Sequence, residues 1–143
     1  RDVYGVNDNI VLIHDGVRPL IDERTISDNI HCVKENGSAI TCTLAKETVV
    51  LVDEMGRVAD VPSRKNSRMA QAQSFWLKDI LDVDERAIKE GHTDMIDSCT
   101  MMRAYNHSIS VVVGPTENIK ITTPDDFYIF RALYDARENQ QLN

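Results

Sequence analysis

What this 143-residue sequence lacks narrows it first. No apolar run approaches the roughly eighteen residues a membrane helix requires, and no charged, then apolar, then small-residue leader opens the chain, so a soluble, cytoplasmic protein with no membrane partner is predicted. Cysteine is scarce: Cys32, Cys42 and Cys99 stand at unrelated spacings, which excludes a disulfide framework or zinc knuckle and leaves them as small buried apolar residues. His14, His31, His92 and His107 show no ligand spacing, and no zinc site is expected. Neither the Gly-x-x-x-x-Gly-Lys-Ser/Thr loop nor Gly-x-Gly-x-x-Gly is present, and no Ser or Cys has a poised base nearby. Basic residues are few and scattered, 16 against 23 acids for a net charge of −7, which argues against nucleic acid as a partner.

The chain that remains is long enough for one domain with a core. Ile10 to Ile13 is four consecutive apolar residues, three of them β-branched, and reads as a strand buried on both faces of a parallel sheet. Ile26, Ile30 and Val33 share one face of a helix over 22–36, stopped by Asn36-Gly37. Ser38 to Leu44 is a second strand. Lys46 to Val52 and Arg57 to Val61, joined through Met55-Gly56, predict a hairpin whose apolar edge calls for a partner subunit, followed by a polar, basic loop at 62–68.

Ser74 is placed as the cap of a helix to Glu90, with Asp82, Asp84 and Glu85 on its wet face. A shorter helix over 97–105 packs Met101-Met102 on the sheet, Ile109 to Val113 is a strand, and Asn118 to Ile121 a short one. Thr123-Pro124-Asp125-Asp126 must start a helix, because it offers an N-cap, a first-turn proline and two acids at the positive end of the dipole. Phe127, Ile129, Phe130, Leu133 and Tyr134 make its apolar face, and Arg137 to Asn143 a fraying polar tail.

Alternating strands and helices predict an α/β fold whose sheet is mostly parallel. Right-handed crossovers would gather three polar places at one sheet edge: Asp15 with Arg18, the loop before Ser74, and Asn118 with Lys120. Arg18 offers a planar fork for phosphate oxygens and Lys120 a mobile point charge. Asp15 suits a hydroxyl, a metal-bound water or Mg²⁺. Two cations and a carboxylate point to a phosphate ester, although Asp15 and Arg18 could equally bond loop amides or each other.

Four motifs carry a more specific signal. His14-Asp15-Gly16-Val17-Arg18-Pro19, Gln71-Ala72-Gln73-Ser74-Phe75, Asp97-Ser98-Cys99-Thr100 and Asn118-Ile119-Lys120-Ile121-Thr122-Thr123-Pro124-Asp125-Asp126 occur in the order found in the alditol-phosphate cytidylyltransferases. The chain resembles that family from about Ile10 to Arg137. The family comprises a methylerythritol 4-phosphate branch in isoprenoid synthesis and a ribitol 5-phosphate branch in wall and capsule synthesis.

The resemblance implies a Rossmann-like nucleotidyltransferase fold, with residues 1–143 as the C-terminal part of one domain and 46–72 as a β-arm that forms a homodimer. It implies transfer of CMP from CTP to an alditol phosphate, with Mg²⁺, giving CDP-alditol and pyrophosphate. Asp15 and Arg18 would contact the alditol phosphate, Asn118 would line the substrate site, Lys120 would act with Asp15 beside the reacting phosphates, and Thr48 would reach into the partner's active site. Two departures stand out. Gln71-Ala72-Gln73 lacks the proline the family usually carries there, and the family's glycine-rich CTP loop would lie upstream of Arg1. The chain by itself is therefore expected to be catalytically silent and to bind CTP weakly, with a non-catalytic dimerising or binding module as the alternative. Ala72, Ile96-Asp97-Ser98-Cys99 and the stretch Phe130 to Arg137 stand closer to the ribitol branch.

Overall fold

The computed structural model describes residues 8–95 and 97–141. The opening residues 1–7, Ile96 of the ribitol-like motif, and the last two residues lie outside it. Strand β1 (Ile10–Ile13) leads through the Asp15 turn to helix α1 (Glu23–Asn36), then β2 (Ser38–Leu44), a small hairpin of β3 (Leu51–Val52) and β4 (Val58–Asp60), β5 (Arg68–Trp76), α2 (Leu77–Lys89), α3 (Ser98–Ala104), β6 (Val111–Val113) and α4 (Pro124–Gln141). Among the described residues no helix is long and apolar enough to cross a membrane.

Helix α1 begins and ends where local chemistry demands. Asp22 Oδ1 accepts the Thr25 N–H at 2.8 Å, and Gly37, at φ +88°, returns its N–H to Val33 O at 2.8 Å. The α1 face of the sheet is partly polar. Asn29, fully buried, donates to Thr25 O (2.8 Å) and to the Thr41 hydroxyl, and its Oδ1 accepts from Ser74 Oγ at 3.0 Å. Every polar atom of that amide is occupied, which is what makes its burial tolerable. On the opposite face Phe75 of β5, Val83 of α2 and Met102 of α3 form the apolar core, with Val11, Ile80 and Ile109 against it.

Among the described residues the sheet has four strands in the order β1-β5-β2-β6, with two-stranded β3-β4 separate from it. This confirms an α/β layering and corrects the expected mostly parallel sheet: β2-β6 is parallel, whereas β1-β5 and β5-β2 are antiparallel. Strand β5 is the reason. Its Gln71, Gln73 and Ser74 carry polar groups that find partners only in distant segments, so no apolar alternation marked the stretch as a strand. Ser74 is consequently not a helix cap: it lies buried in β5, and α2 starts after Trp76. β1 is correspondingly half-buried rather than covered on both faces, with Ile13 exposed.

The pairing of β2 with β5 is irregular at one point. Ile40 pairs with Gln73 and Cys42 with Ala70, so two steps along β2 match three along β5, which places a bulge at Gln71-Ala72 opposite Thr41. Gly114, just past β6, crosses this point. A Cβ there would collide with the Thr41 methyl carbon and stand 3.2 Å from Gln71 Oε1.

Two further expectations are revised. Asn118 to Ile121 is not a strand but a loop held by Ile121 N–H to Val17 O at 2.9 Å. Helix α4 does not fray at Arg137: it continues to Gln141, and Arg137 Nη2 donates to Leu20 O at 2.9 Å. The hairpin forms but is shorter than expected, its strands covering Leu51–Val52 and Val58–Asp60 rather than 46–52 and 57–61, with Leu51, Val52 and Val58 all exposed.

Candidate functional site

At the carboxyl end of β1 the chain turns tightly. Arg18 N–H donates to Asp15 O at 3.0 Å, closing the turn Asp15-Gly16-Val17-Arg18, and His14 Nε2 lies 2.9 Å from Arg18 O. That turn folds the Arg18 side chain back across the sheet end. Its Nε donates to Asp15 Oδ2 at 3.3 Å, Nη1 to Asn118 O at 2.9 Å and Nη2 to Ala70 O at 3.3 Å. Three partners from three segments fix the plane of the fork, and its side chain is only 14% exposed. A guanidinium carries five N–H groups, so two remain for a ligand beyond the three that the described residues take.

Lys120 completes the cluster: its Nζ lies 3.7 Å from Asp15 Oδ2, and both side chains are 47% exposed. One carboxylate thus stands between two cations. The net positive charge of the trio suits a dianionic phosphate, which would meet a pre-oriented fork and a mobile ammonium. Of the readings left open by the sequence, Asp15 and Arg18 do bond each other, yet they also face open space. They border a cavity of about 550 Å³, within the range of small-ligand sites. Across it stand Asp84, Asp97, Ser98 and Met101.

The sequence-predicted residues separate here. Asp15, Arg18 and Lys120 come together at the cavity. Asn118 does not line it: the residue is fully buried, its amide Nδ2 turned to Gln71 Oε1 at 2.9 Å, and it contributes its main-chain carbonyl to Arg18. Thr48 lies elsewhere, bordering a separate hollow with Leu44, Val49 and Met69 at the base of the hairpin. Asp84 lies on the exposed face of α2, as read from the sequence, and also borders the cavity, as does Gln73, whose Oε1 accepts the Cys99 N–H at 2.8 Å and fixes the start of α3. No local pattern distinguishes Asp84 from its neighbours Asp82 and Glu85, because the approach of α2 to the β1 turn is a tertiary fact.

Neither nearby thiol is activated towards its thiolate. Burial pushes the Cys99 thiol up, reinforced by the Asp97 carboxylate, and burial likewise raises Cys42. Both stay protonated at neutral pH. For Mg²⁺, the described residues hold no group of three or more His, Cys, Asp or Glu side chains able to bind a metal, and Asp15 is already engaged by Arg18 and Lys120. Among the described residues no protein-only Mg²⁺ cage is formed, as expected for an ion commonly held by one or two carboxylates together with substrate phosphates.

Residues 3–135 match the family model described as IspD, 2-C-methyl-D-erythritol 4-phosphate cytidylyltransferase. Among curated relatives, the ribitol-5-phosphate cytidylyltransferase of Streptococcus agalactiae serotype V is 59% identical over 137 residues, covering 95% of this chain and 57% of the relative. The 2-C-methyl-D-erythritol 4-phosphate cytidylyltransferase of Clostridioides difficile is 33% identical over 138 residues, covering 96% of this chain and 57% of its own length. The chain therefore spans little more than half of these relatives. Among solved structures, 4-diphosphocytidyl-2C-methyl-D-erythritol synthase from Anaerococcus prevotii superposes with a TM-score of 0.78 at 30% identity, over 90% of this chain and 58% of that one. With a match of that extent and the α/β fold in common, the chain belongs to the 2-C-methyl-D-erythritol 4-phosphate cytidylyltransferase (IspD) family.

Proposed function

We propose that this chain supplies the alditol-phosphate side of a cytidylyltransferase active site, with ribitol 5-phosphate as the preferred acceptor. The observation that carries this reading is the Arg18 fork, locked by Asp15, Asn118 and Ala70 and aimed with Lys120 into one cavity. The preference for ribitol is supported by the 59% identity to an enzyme named for ribitol 5-phosphate, against 33% to one named for methylerythritol 4-phosphate.

In the reaction proposed, an oxygen of the alditol phosphate attacks the α-phosphorus of CTP. The new O–P bond forms as the bond to the β-phosphate oxygen breaks, and pyrophosphate leaves with the electron pair. Chemistry of this kind asks the protein for positioning and charge neutralisation rather than a covalent intermediate. Arg18 holds the acceptor phosphate, and Lys120 offsets its repulsion from the approaching triphosphate. Asp15 keeps both cations in place and offers a free lone pair to an acceptor hydroxyl. Mg²⁺ held on the triphosphate would supply charge neutralisation at the transferring phosphates. In a homodimer through 46–72, Thr48 serves the partner's site.

The test is pyrophosphate release by the complete gene product with CTP and Mg²⁺, offered ribitol 5-phosphate and methylerythritol 4-phosphate in parallel. Release with ribitol 5-phosphate, falling about a hundredfold or more in Arg18→Ala, is expected, since a charged bond of roughly 1.5–3 kcal/mol and its geometry are lost together. No release with either acceptor from folded protein overturns the reading in favour of a non-catalytic module.

A further inference from the structure

The bulge in β5 contains a side chain that hydrogen-bonds to none of the cavity's charged trio and yet connects its supports. Gln71 Oε1 accepts from Asn118 Nδ2 at 2.9 Å, and its Nε2 donates to Pro115 O at 3.4 Å. Among the described residues the Gln71 bond is the one hold on the buried Asn118 amide, whose Oδ1 has no partner. Asn118 is in turn the residue whose carbonyl accepts Arg18 Nη1, and Lys120 follows two residues later. The third Arg18 contact goes to Ala70 O, the residue beside Gln71 at the edge of the same bulge. Arg18 is therefore held by the bulge directly and by the loop that the bulge clamps.

The extra residue of the bulge is what makes this clamp possible. It brings Gln71 Oε1 to the crossing with Gly114, where a Cβ on residue 114 would overlap the Thr41 methyl and press on the amide oxygen at 3.2 Å. We propose that Gln71 is a positioning residue: its amide clamps the 115–120 loop and so sets the plane of the Arg18 guanidinium, and with it affinity for the phosphate of the acceptor. The consequence for affinity rests on the proposed function; the clamp does not.

The two are tested separately. In the ¹⁵N-labelled protein, Arg18 Nε–H, bonded to Asp15 on a largely buried side chain, is expected to exchange slowly with solvent. Gln71→Met keeps the length and removes both bonds, and should speed that exchange at least tenfold, whereas Gln71→Glu keeps the acceptor for Asn118 and should restore slow exchange. Gln71→Asn, an amide one methylene too short, gives the same reading as methionine should that variant fail to fold. Unchanged exchange in a folded Met or Asn variant overturns the clamp. In the complete gene product Gln71→Met should raise KM for ribitol 5-phosphate roughly ten- to hundredfold with kcat within about threefold; an unchanged KM overturns the link to affinity. Should the unmodified protein neither bind nor turn over any alditol phosphate while its Arg18 exchange still depends on Gln71, the proposed function fails and the clamp stands.

Discussion

Helices α1 and α4 are written in the same way and end up in different situations. Each opens with a side-chain cap, Asp22 for α1 and Thr123 Oγ1 accepting the Asp126 N–H at 3.3 Å for α4, and each carries apolar residues at helical spacing. Yet α1 buries Thr25, Asn29 and Val33 against the sheet, whereas α4 has no fully buried residue, Phe130 and Leu133 being half-buried and Phe127 and Ile129 about half exposed. Caps and periodicity decide that a helix forms. A surface placed opposite decides whether it is covered, and the exposed Val111 and Val113 of β6 and the hairpin's Leu51, Val52 and Val58 make the same point for strands.

Emptying the packed side tests this contrast most directly. Phe75→Ala removes a fully buried ring from between Val83 and Met102 and should cost about 3–5 kcal/mol, seen as a lowered urea midpoint. Phe127→Ala in α4, where the ring is about half exposed and lies beside Tyr128 and Phe130, should cost less than about 1 kcal/mol. Equal effects would erase the distinction between packed and uncovered apolar faces.

A smaller loss is expected from the polar side of α1. Asn29→Leu strands the Thr41 and Ser74 hydroxyls and should cost roughly 1–3 kcal/mol. The cap comes next: Asp22→Ala should cost about 1 kcal/mol. The Thr25 hydroxyl and N–H hold the Asp22 carboxyl below its usual 3.8 against the opposing effect of partial burial. Because the folded value is the lower one, this stabilisation is complete above the ordinary value and is lost as pH falls through the folded one. Urea midpoints should therefore separate the protein from Asp22→Asn by a constant amount above about pH 5 and converge in more acid solution. The smallest effect on folding, within about 0.5 kcal/mol, is expected from Val52→Asp in the hairpin, 63% exposed. The same substitution should shift sedimentation from dimer to monomer; no dimer in the unmodified protein counts against the arm.

The candidate site was legible in unequal parts. Asp15 and Arg18 could be found because an apolar run that stops abruptly at Asp-Gly-x-Arg-Pro places charges past a strand end, and Lys120 because a cation among β-branched residues is out of place. Asn118 reaches the site through its carbonyl, its amide being turned to Gln71, and which way a buried amide turns is not written locally. Gln71 and Gln73 gave no strand signal, since their hydrogen-bond partners lie from 26 to 47 residues away.

Short-range forces, readable along the chain, settle the cap at Asp22 and the stop at Gly37, the start of α4 at Pro124, the hairpin turn, and the charged turn after β1. Long-range packing alone settles the place of β5 between β1 and β2, its bulge, and the face of α2 that turns Asp84 to the cavity. Caps and turns depend on bonds between residues a few positions apart, where the chain cannot avoid the encounter. Strand order and buried amides depend on which distant groups satisfy one another once the core has excluded water, and that contest is not written in any local window.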